Sequence, residues 1–433
     1  MNNLSKIFSV VVILAWLTAC SPFLFQTDSQ RLEYEADRLL ADDRVSEALL
    51  AYRQSIDSDP LNFSATRKLI PLYQKQGRLR EAYYLFQLIP EADRNALKIE
   101  PADLSPGESE NVKLDWIQML NHEEPVGLTA DEQAVVVSYR AGHVALVDIT
   151  NGSILWSIST EKVITSPPSL TSSAVFVGCE SGALTALRRS DGKIIWETHL
   201  KGAIYASPVA KNGLLYVGSY EGQLAAIDLA NGSVRWQADA ESPILAPVAV
   251  DGETLYVATT AGTVHSLNRN TGEALWIKPA RLPGSLEAQP VVVSDRILVA
   301  TNDSRVYALA LNGKDYFWQF SMSDSIYSNP VVDNDRAYIF SIGQSAAAVD
   351  LKSGEKLWQV EIPVPVRSTP VLINEQLYFS GISQSNLYVM DTAAGQIKTV
   401  INTGDWIAAG PMKSGKHLLL AGKDGALLSY RIN

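Results

Sequence analysis

Most of the chain alternates short apolar segments with turns of glycine, asparagine and aspartate, and one stretch shows this pattern clearly. Pro208 begins an apolar segment, as proline can at the first residue of a strand. Two more apolar segments follow, Leu214–Gly218 and Gly222–Asp228, and Ser233–Ala238 is the fourth. Asn231-Gly232 suits the tight turn before the last of them, which needs positive φ. Four short strands joined by tight turns predict one blade of a β-propeller.

The same pattern recurs along the chain with an interval typical of propellers, about 40 residues. A turn glycine marks seven units: Gly152, Gly192, Gly232, Gly272, Gly313, Gly354 and Gly395. A tryptophan follows six of these glycines: Trp156, Trp196, Trp236, Trp276, Trp318 and Trp358. A proline opens each unit: Pro125, Pro168, Pro208, Pro247, Pro290, Pro330, Pro370 and Pro411. Eight prolines predict eight blades.

The eighth unit lacks its last strand, because the chain ends at Asn433 after only two further apolar segments beyond Pro411. A matching segment lies at the other end of the repeats, where Leu114-Asp115-Trp116 resembles Val234-Arg235-Trp236. We therefore expect a mainly β fold in which residues 112–433 form an eight-bladed propeller. The strand around Trp116 is expected to complete the eighth blade and close the ring.

Residues 31–100 have the spacing of helices instead. Ala48 and Tyr52 are followed by Ala82 and Phe86 at an interval of 34 residues, the length of a tetratricopeptide repeat. The segment resembles two such repeats and predicts a small α-helical region before the propeller. A plain pair of helical hairpins is the alternative. Residues 101–111, rich in proline, serine, glycine and acidic side chains, are predicted to be a linker.

The first 19 residues have the features of a signal peptide, with the apolar run Ile7–Trp16 followed by small residues. That run is too short to span a bilayer, which takes about 20 residues. Leu17-Thr18-Ala19-Cys20 resembles the lipobox of bacterial lipoproteins, which implies cleavage before Cys20 and lipid, including palmitate, on that residue. Residues 20–30 would then form a lipidated tether. An ordinary secretory signal with an unrelated cysteine is the alternative.

Composition limits the classes of partner. The chain has 36 Lys and Arg against 47 Asp and Glu, which argues against nucleic acid because phosphate binding needs clustered positive charge. Charged residues make up 19% of the chain and apolar residues 46%, so a large buried core is expected.

The segment Ala226–Trp236 resembles the tryptophan-docking motif of quinoprotein-type (PQQ-like) propellers. The resemblance implies that each indole packs on the neighbouring blade and donates its N–H to that blade's backbone. This structural role is expected of Trp116, Trp156, Trp196, Trp236, Trp276, Trp318 and Trp358. It is a role in the fold and indicates no activity.

The lipobox, the eight units and the C-terminal stretch Gly422–Tyr430 together resemble the BamB family, lipoprotein scaffolds of the machinery that assembles outer-membrane β-barrels. Ser21, after the cysteine, implies delivery to the outer membrane by the same kind of resemblance, with the protein facing the periplasm. The partner implied is the pore protein of that machinery. Arg281–Pro290 and Ser321–Pro330, however, lack the family's partner-binding stretches, so the resemblance does not identify the partner. Residues 31–100 lie outside it.

An enzyme is the alternative from a different class, namely a PQQ-dependent dehydrogenase. The vicinal cysteine pair common in those enzymes is absent from the sequence, and the five histidines have no spacing typical of a zinc site. Asp333-Asn334-Asp335 corresponds to a turn in the other units and lacks the remaining ligands of a calcium loop. We therefore expect no catalytic residues, no metal and no cofactor.

The sequence thus predicts a non-catalytic scaffold that binds envelope proteins and no small-molecule substrate. A scaffold of another envelope machine, such as a pilus or secretion system, remains open. Aromatic and basic residues in the loops around the propeller axis are the candidate partner contacts: Tyr205, Arg281, Tyr327, Arg367 and Trp406.

Overall fold

The computed structural model describes residues 27–94, 97, 99, 107–120 and 125–432. The chain divides into two compact units, Met1–Ser105 and Pro106–Asn433. The predicted signal peptide and the lipidation residue Cys20 lie outside the described residues, as do most of the tether and part of the linker.

The first unit is helical. Its helices are α1 (Asp28–Ala41), α2 (Val45–Ser58), α3 (Phe63–Lys75), α4 (Leu79–Leu88) and the short α5 (Glu91–Arg94). A capping box begins α1, in which Thr27 and Gln30 exchange hydrogen bonds between side chain and backbone. Among the described residues, no helix combines the length and apolar character that crossing a membrane requires.

Two successive helix pairs of this unit have equivalent turns, 34 residues apart. Asp43 ends the α1–α2 turn with φ 58°, and Gly77 has φ 72° in the α3–α4 turn. Arg44 pairs with Glu47 after the first turn, as Arg78 pairs with Glu81 after the second. Ala48, Tyr52, Ala82 and Phe86 lie in one buried core. The tetratricopeptide assignment stays a prediction that these equivalences favour.

The second unit is an eight-bladed β-propeller, which confirms the predicted fold. Each blade is a four-stranded antiparallel sheet. Blades 1 and 2 contain β2 (Pro125–Ala130), β3 (Ala134–Tyr139), β4 (His143–Asp148), β5 (Ile154–Ser159), β6 (Ser169–Leu170), β7 (Ala174–Gly178), β8 (Ala183–Arg188) and β9 (Ile194–His199). Blades 3 and 4 contain β10 (Val209–Lys211), β11 (Leu214–Gly218), β12 (Gln223–Asp228), β13 (Val234–Asp239), β14 (Ala249–Asp251), β15 (Thr254–Ala258), β16 (Thr263–Asn268) and β17 (Ala280–Arg281).

The remaining blades follow in the same order. Blades 5 and 6 contain β18 (Val291–Val293), β19 (Arg296–Ala300), β20 (Arg305–Ala310), β21 (Tyr316–Ser321), β22 (Val331–Asp333), β23 (Arg336–Ser341), β24 (Ser345–Asp350) and β25 (Lys356–Glu361). Blade 7 contains β26 (Val371–Ile373), β27 (Gln376–Ser380), β28 (Asn386–Asp391) and β29 (Ile397–Asn402). Blade 8 contains β30 (Ile407–Ser414), β31 (His417–Gly422), β32 (Ala426–Ile432) and β1 (Val112–Met119).

The eighth blade combines both ends of the repeat region. Strand β1 pairs antiparallel with β32 over its whole length, from Val112↔Ile432 to Met119↔Ala426. The hydrogen bond from Leu120 N to Gly425 O corresponds to that from Ala240 N to Gly222 O in blade 3. A strand from the N-terminal side therefore supplies the outermost position of the last blade.

Each of the seven repeat tryptophans contacts the next blade in the same way. Its indole N–H donates to a backbone carbonyl there, at 2.7–3.0 Å. Its ring covers that blade's turn glycine, whose φ is positive. The pairs of tryptophan and glycine are Trp116–Gly152, Trp156–Gly192, Trp196–Gly232, Trp236–Gly272, Trp276–Gly313, Trp318–Gly354 and Trp358–Gly395. A buried apolar cluster between the two adjacent sheets completes each of these seven interfaces.

Blade 4 departs from the common pattern in its outer strand. In blade 3, the N–H of Ala240 donates to Gly222 O in the turn before the third strand, and Ala240 lies four residues after Trp236. In blade 4 the corresponding donor, Leu282, lies six residues after Trp276. The two extra residues and Pro279, which has no backbone N–H, shorten the outer strand to β17. Ile277 in this interruption is 99% exposed.

Candidate partner-binding face

The described loops that connect successive blades lie at one end of the blades, together with the turns between the second and third strands, and we call this end the loop face. Each of these described loops runs from the outer strand of one blade to the inner strand of the next. In seven of these loops a carbonyl accepts a hydrogen bond from the turn between the second and third strands of the next blade. The carbonyl and N–H partners are Val163–Glu180, Ala203–Tyr220, Pro243–Thr260, Ser285–Asn302, Ser325–Ile342, Pro365–Ile382 and Trp406–Lys423. These bonds fix the loops on rigid sheets.

A cavity of about 710 Å³ lies at this face where the inner strands meet, and we call it the axial cavity. Its walls include β2 residues Val126–Thr129 and residues Trp406–Met412 of blade 8, together with Arg367 and Lys423. Prolines and hydroxyl side chains from other blades complete the lining. Contributions from seven blades make this cavity a product of ring closure, because no single blade contains it.

Hydrogen bonds between the residues that precede successive inner strands support the axial cavity from one side. The backbone N–H of Gln289 donates to Asn329 Oδ1 at 2.8 Å, and the Asn329 N–H donates to Thr369 Oγ1 at 3.1 Å. The Gln289 side chain donates in turn to Val248 O at 2.9 Å. The residues that precede three of the blade prolines thus link blades 4 to 7.

A second cavity of about 360 Å³ adjoins the first and shares Arg367 with it. Tyr205, Tyr220 and Tyr327 line it together with Leu245 and Glu287. The rings of Tyr205 and Tyr220 meet edge to face, with centroids 5.8 Å apart.

Two basic side chains of the loop face are held over aromatic rings. The Arg367 guanidinium lies 4.9 Å from the centroid of Tyr327, and Lys423 Nζ lies 4.8 Å from that of Trp406. Such contacts contribute about 0.5–1 kcal/mol at exposed sites. Arg367 also lies 3.7 Å from the Glu287 carboxylate, while 63% of its side chain stays exposed. Both cations are therefore oriented and still accessible to a partner.

Four of the five candidate contacts lie at these cavities: Tyr205, Tyr327, Arg367 and Trp406. Arg281 does not line either cavity. It lies in β17 and pairs with Thr263, so it belongs to the outer strand of blade 4. The sequence reasoning missed Lys423, Tyr220 and Glu287. Lys423 lies in the C-terminal stretch Gly422–Tyr430, and the choice of basic residues around the propeller axis, which includes Arg367, applies to Lys423 as well.

A calcium-bound quinone in the axial cavity would need oxygen ligands from the cavity lining. Calcium takes several oxygen ligands, usually including carboxylates. The described residues that line the cavity include no carboxylate, and Asn329 Oδ1 already accepts a hydrogen bond. In the described part of the chain, no group of three or more His, Cys, Asp or Glu side chains is placed to hold a metal ion. These residues do not fit that cofactor.

Cys179 is the free cysteine of the described residues, and it is fully buried beside the end of β7. Burial raises the pKa of its thiol to about 11. The thiol is therefore protonated at neutral pH, which makes it a poor nucleophile.

Comparison with known proteins gives a family. The sequence model of the family described as "Beta-alanine-activating enzyme, beta-propeller" matches residues 124–346, from the start of blade 1 into blade 6. This match covers half of the chain. The chain belongs to this propeller family. The description refers to the β-propeller of that enzyme, and the match concerns the propeller alone. No curated protein matches the chain significantly.

Solved structures similar to this member of the beta-alanine-activating-enzyme propeller family share its architecture. BamB from Moraxella catarrhalis matches with a TM-score of 0.63 and 19% identity, over 74% of this chain and 100% of that chain. Quinohemoprotein alcohol dehydrogenase from Comamonas testosteroni matches with a TM-score of 0.61 and 14% identity, over 75% and 78%. The computationally designed protein Ika8 matches with a TM-score of 0.65 and 13% identity, over 74% and 100%. At these identities the likeness concerns the fold.

Proposed function

We propose that this protein is a non-catalytic scaffold, anchored by lipid to the periplasmic face of the outer membrane. Its role is the assembly of outer-membrane β-barrel proteins or of a related envelope complex. The observation that carries the proposal is the loop face, where Arg367 and Lys423 lie over aromatic rings beside two open cavities. Aromatic and arginine side chains at rigid, accessible positions are typical of protein-binding hot spots.

The closed ring supports a holding role. Every described blade packs on two neighbours. In blade 8, β1 pairs with β32, so that β32 is paired on both of its edges. A rigid surface loses little conformational entropy on binding, which favours stable association. The membrane anchor and the identity of the partner rest on the lipobox and on the resemblance to the BamB family.

The first test concerns the anchor and the partner together. The full-length protein is expressed in a bacterium with an outer membrane, labelled with palmitate and crosslinked. We expect Cys20→Ala to abolish labelling and processing before residue 20, and we expect wild type to capture the barrel-assembly pore protein. A labelled, membrane-bound Cys20→Ala protein would contradict the anchor.

Two alternatives make different predictions in the same experiment. A scaffold of a pilus or secretion system captures components of that machine and never the pore protein. A PQQ-dependent dehydrogenase, favoured only by the likeness to the alcohol dehydrogenase fold, would bind pyrroloquinoline quinone stoichiometrically in the presence of calcium. We expect no such complex.

A further inference from the structure

Charge is distributed unevenly between the whole chain and the axial cavity. The chain carries 47 acidic against 36 basic residues. Among the described residues that line the axial cavity, the charged ones are Arg367 and Lys423, both basic. A cavity whose charged side chains are all basic attracts anionic groups, even in a protein of net negative charge, because no acidic group of its lining repels them.

The nearest acidic neighbours in sequence do not line the axial cavity. Asp405 Oδ1 accepts a hydrogen bond from the Trp406 N–H at 2.6 Å, and Asp424 Oδ1 accepts one from the Ala426 N–H at 3.2 Å. Glu287 lies on the other side of Arg367, in the second cavity, at 3.7 Å. An ion pair this long and this exposed contributes little to stability. A carboxylate that enters the axial cavity can therefore share Arg367 with Glu287 or replace Glu287 as its partner.

The wall of blade 8 favours an extended chain over a compact anion. Strand β30 has eight residues, whereas the inner strands of blades 2 to 7 have two or three. Its register with β31 shifts twice, between Ile407 and Ala409 and between Ala409 and Met412. Such bulges leave residues without ladder partners. Ala408 and Gly410 have no partner in the register of β30 with β31, and together with Ala409 they line the cavity without any large side chain.

We propose that the axial cavity binds an extended acidic segment of a partner protein. Its carboxylates would contact Arg367 and Lys423, and its backbone would lie along Ala408–Gly410. Hydroxyl groups of the lining, such as those of Ser368 and Ser383, can donate further hydrogen bonds to carboxylates. This inference rests on the proposed function and specifies the chemistry of the partner.

The test uses the full chain in detergent and four probes, of which the three peptides have blocked ends. They are an octapeptide of alternating Ala and Glu, the same peptide with Gln in place of Glu, the same peptide with Lys in place of Glu, and glutarate as a free dicarboxylate. Binding is measured by calorimetry at low and at physiological salt. We expect the Glu peptide to bind, the Gln peptide to bind at least tenfold more weakly, and added salt to weaken the Glu peptide because exposed charges are screened.

Two variants and one matched control locate the site. Arg367→Gln and Lys423→Gln should each weaken the Glu peptide about tenfold, because each removes one charge-assisted contact, worth about 1.4 kcal/mol. Lys193→Gln should change nothing. Lys193 follows the docking glycine Gly192, in a turn at the end of the blade opposite the loop face, and 75% of its side chain is exposed. Unchanged melting temperatures show that the variants are folded.

Four results would overturn the inference: equal binding of the Glu and Gln peptides, tighter binding of the Lys peptide, Glu-peptide binding that both variants leave intact, or glutarate bound as tightly as the peptide. The last result would indicate a site for small anions. Failure of the proposed function is seen separately, as loss of pore-protein capture by the wild-type protein while the Glu peptide still binds.

Discussion

Single residues hold neighbouring blades together through an indole that lies on a glycine. A Cβ built on Gly232 would lie 2.6 Å from Cδ2 of Trp196, and the backbone there has φ 72°. The position therefore excludes a side chain for two reasons, space and backbone conformation. The resemblance to the docking motif predicted that each indole packs on the next blade, but it did not predict that the indole covers that blade's turn glycine. The sequence could not predict that Lys423 lies over Trp406, since that contact depends on how a connecting loop meets the next blade.

Gly232→Ala separates the two reasons when it is compared with Gly213→Ala in the same blade. Gly213 has φ 82°, but a Cβ there meets nothing within 4 Å. Gly213→Ala should cost the strain of left-handed backbone alone, about 1–2 kcal/mol of unfolding free energy. Gly232→Ala should cost about 1–3 kcal/mol more because the methyl group forces the indole away. Denaturant unfolding measures both, and equal losses would show that the indole does not pack as described.

Individual strands follow the sequence pattern except where the chain lengthens or ends. The two extra residues after Trp276 interrupt the outer strand of blade 4, yet its indole still donates to Leu311 O at 2.9 Å. Thr399 occupies the tryptophan position of blade 7, four residues after Gly395. A tryptophan there would cover the turn between the last two strands of blade 8. Those strands are β32 and β1, which come from opposite ends of the repeat region, so no such turn joins them. The absence of a tryptophan at this position of blade 7 is visible in the sequence, whereas the interruption of blade 4 depends on the local strand register.

If β1 closes the ring, Trp116 should behave like the other six docking tryptophans. Its indole N–H donates to Ile149 O at 2.9 Å, as that of Trp236 does to Arg269 O. Loss of a large aromatic side chain from a core costs about 3–5 kcal/mol. Trp116→Ala should therefore lower the melting temperature about as much as Trp236→Ala. A chain that begins after Asn121 should fare worse, because β32 would become an unpaired edge. A stable, monomeric propeller from that shorter chain would disprove closure by β1.

The closing strand is also joined to its blade by a group that titrates. His417 Nδ1 lies 2.9 Å from Ser429 Oγ and 3.5 Å from Asp115 Oδ2, and Arg431 pairs with Asp115 at 2.9 Å. Burial lowers the pKa of His417 below its ordinary 6.5; Asp115 opposes this shift and Arg431 adds to it. The unfolded chain therefore takes up a proton first as the pH falls through 6.5, and the folded state loses stability.

We expect the melting temperature to fall between pH 7 and pH 5, and to fall less in His417→Gln, which can still bond to Ser429. His199→Gln serves as the control because 62% of the His199 side chain is exposed. Thermal melts at several pH values measure the effect. An identical pH dependence in His417→Gln and wild type would mean that another group is responsible.

The whole molecule consists of two compact units, and each offers its own surface. The propeller presents the loop face, and in the helical unit Leu50 and Leu61 are 59% and 74% exposed. Two modest sites on one chain raise overall affinity when their ligands belong to one assembly. We therefore expect a division of labour, in which the propeller binds one component of an envelope machine and residues 31–100 bind another.

Site-specific crosslinking in the full-length protein tests this division without separating the units. A photoreactive amino acid replaces Leu61 in one variant and Tyr205 in a second, and replaces Lys193, on the opposite end of the blades, in a control. The Tyr205 variant should capture the barrel-assembly pore protein, the Leu61 variant a different protein, and the Lys193 variant neither. If Leu61 captures nothing while Tyr205 captures every partner, residues 31–100 act only as a spacer. If no position captures the pore protein, a scaffold of another envelope machine becomes the better hypothesis.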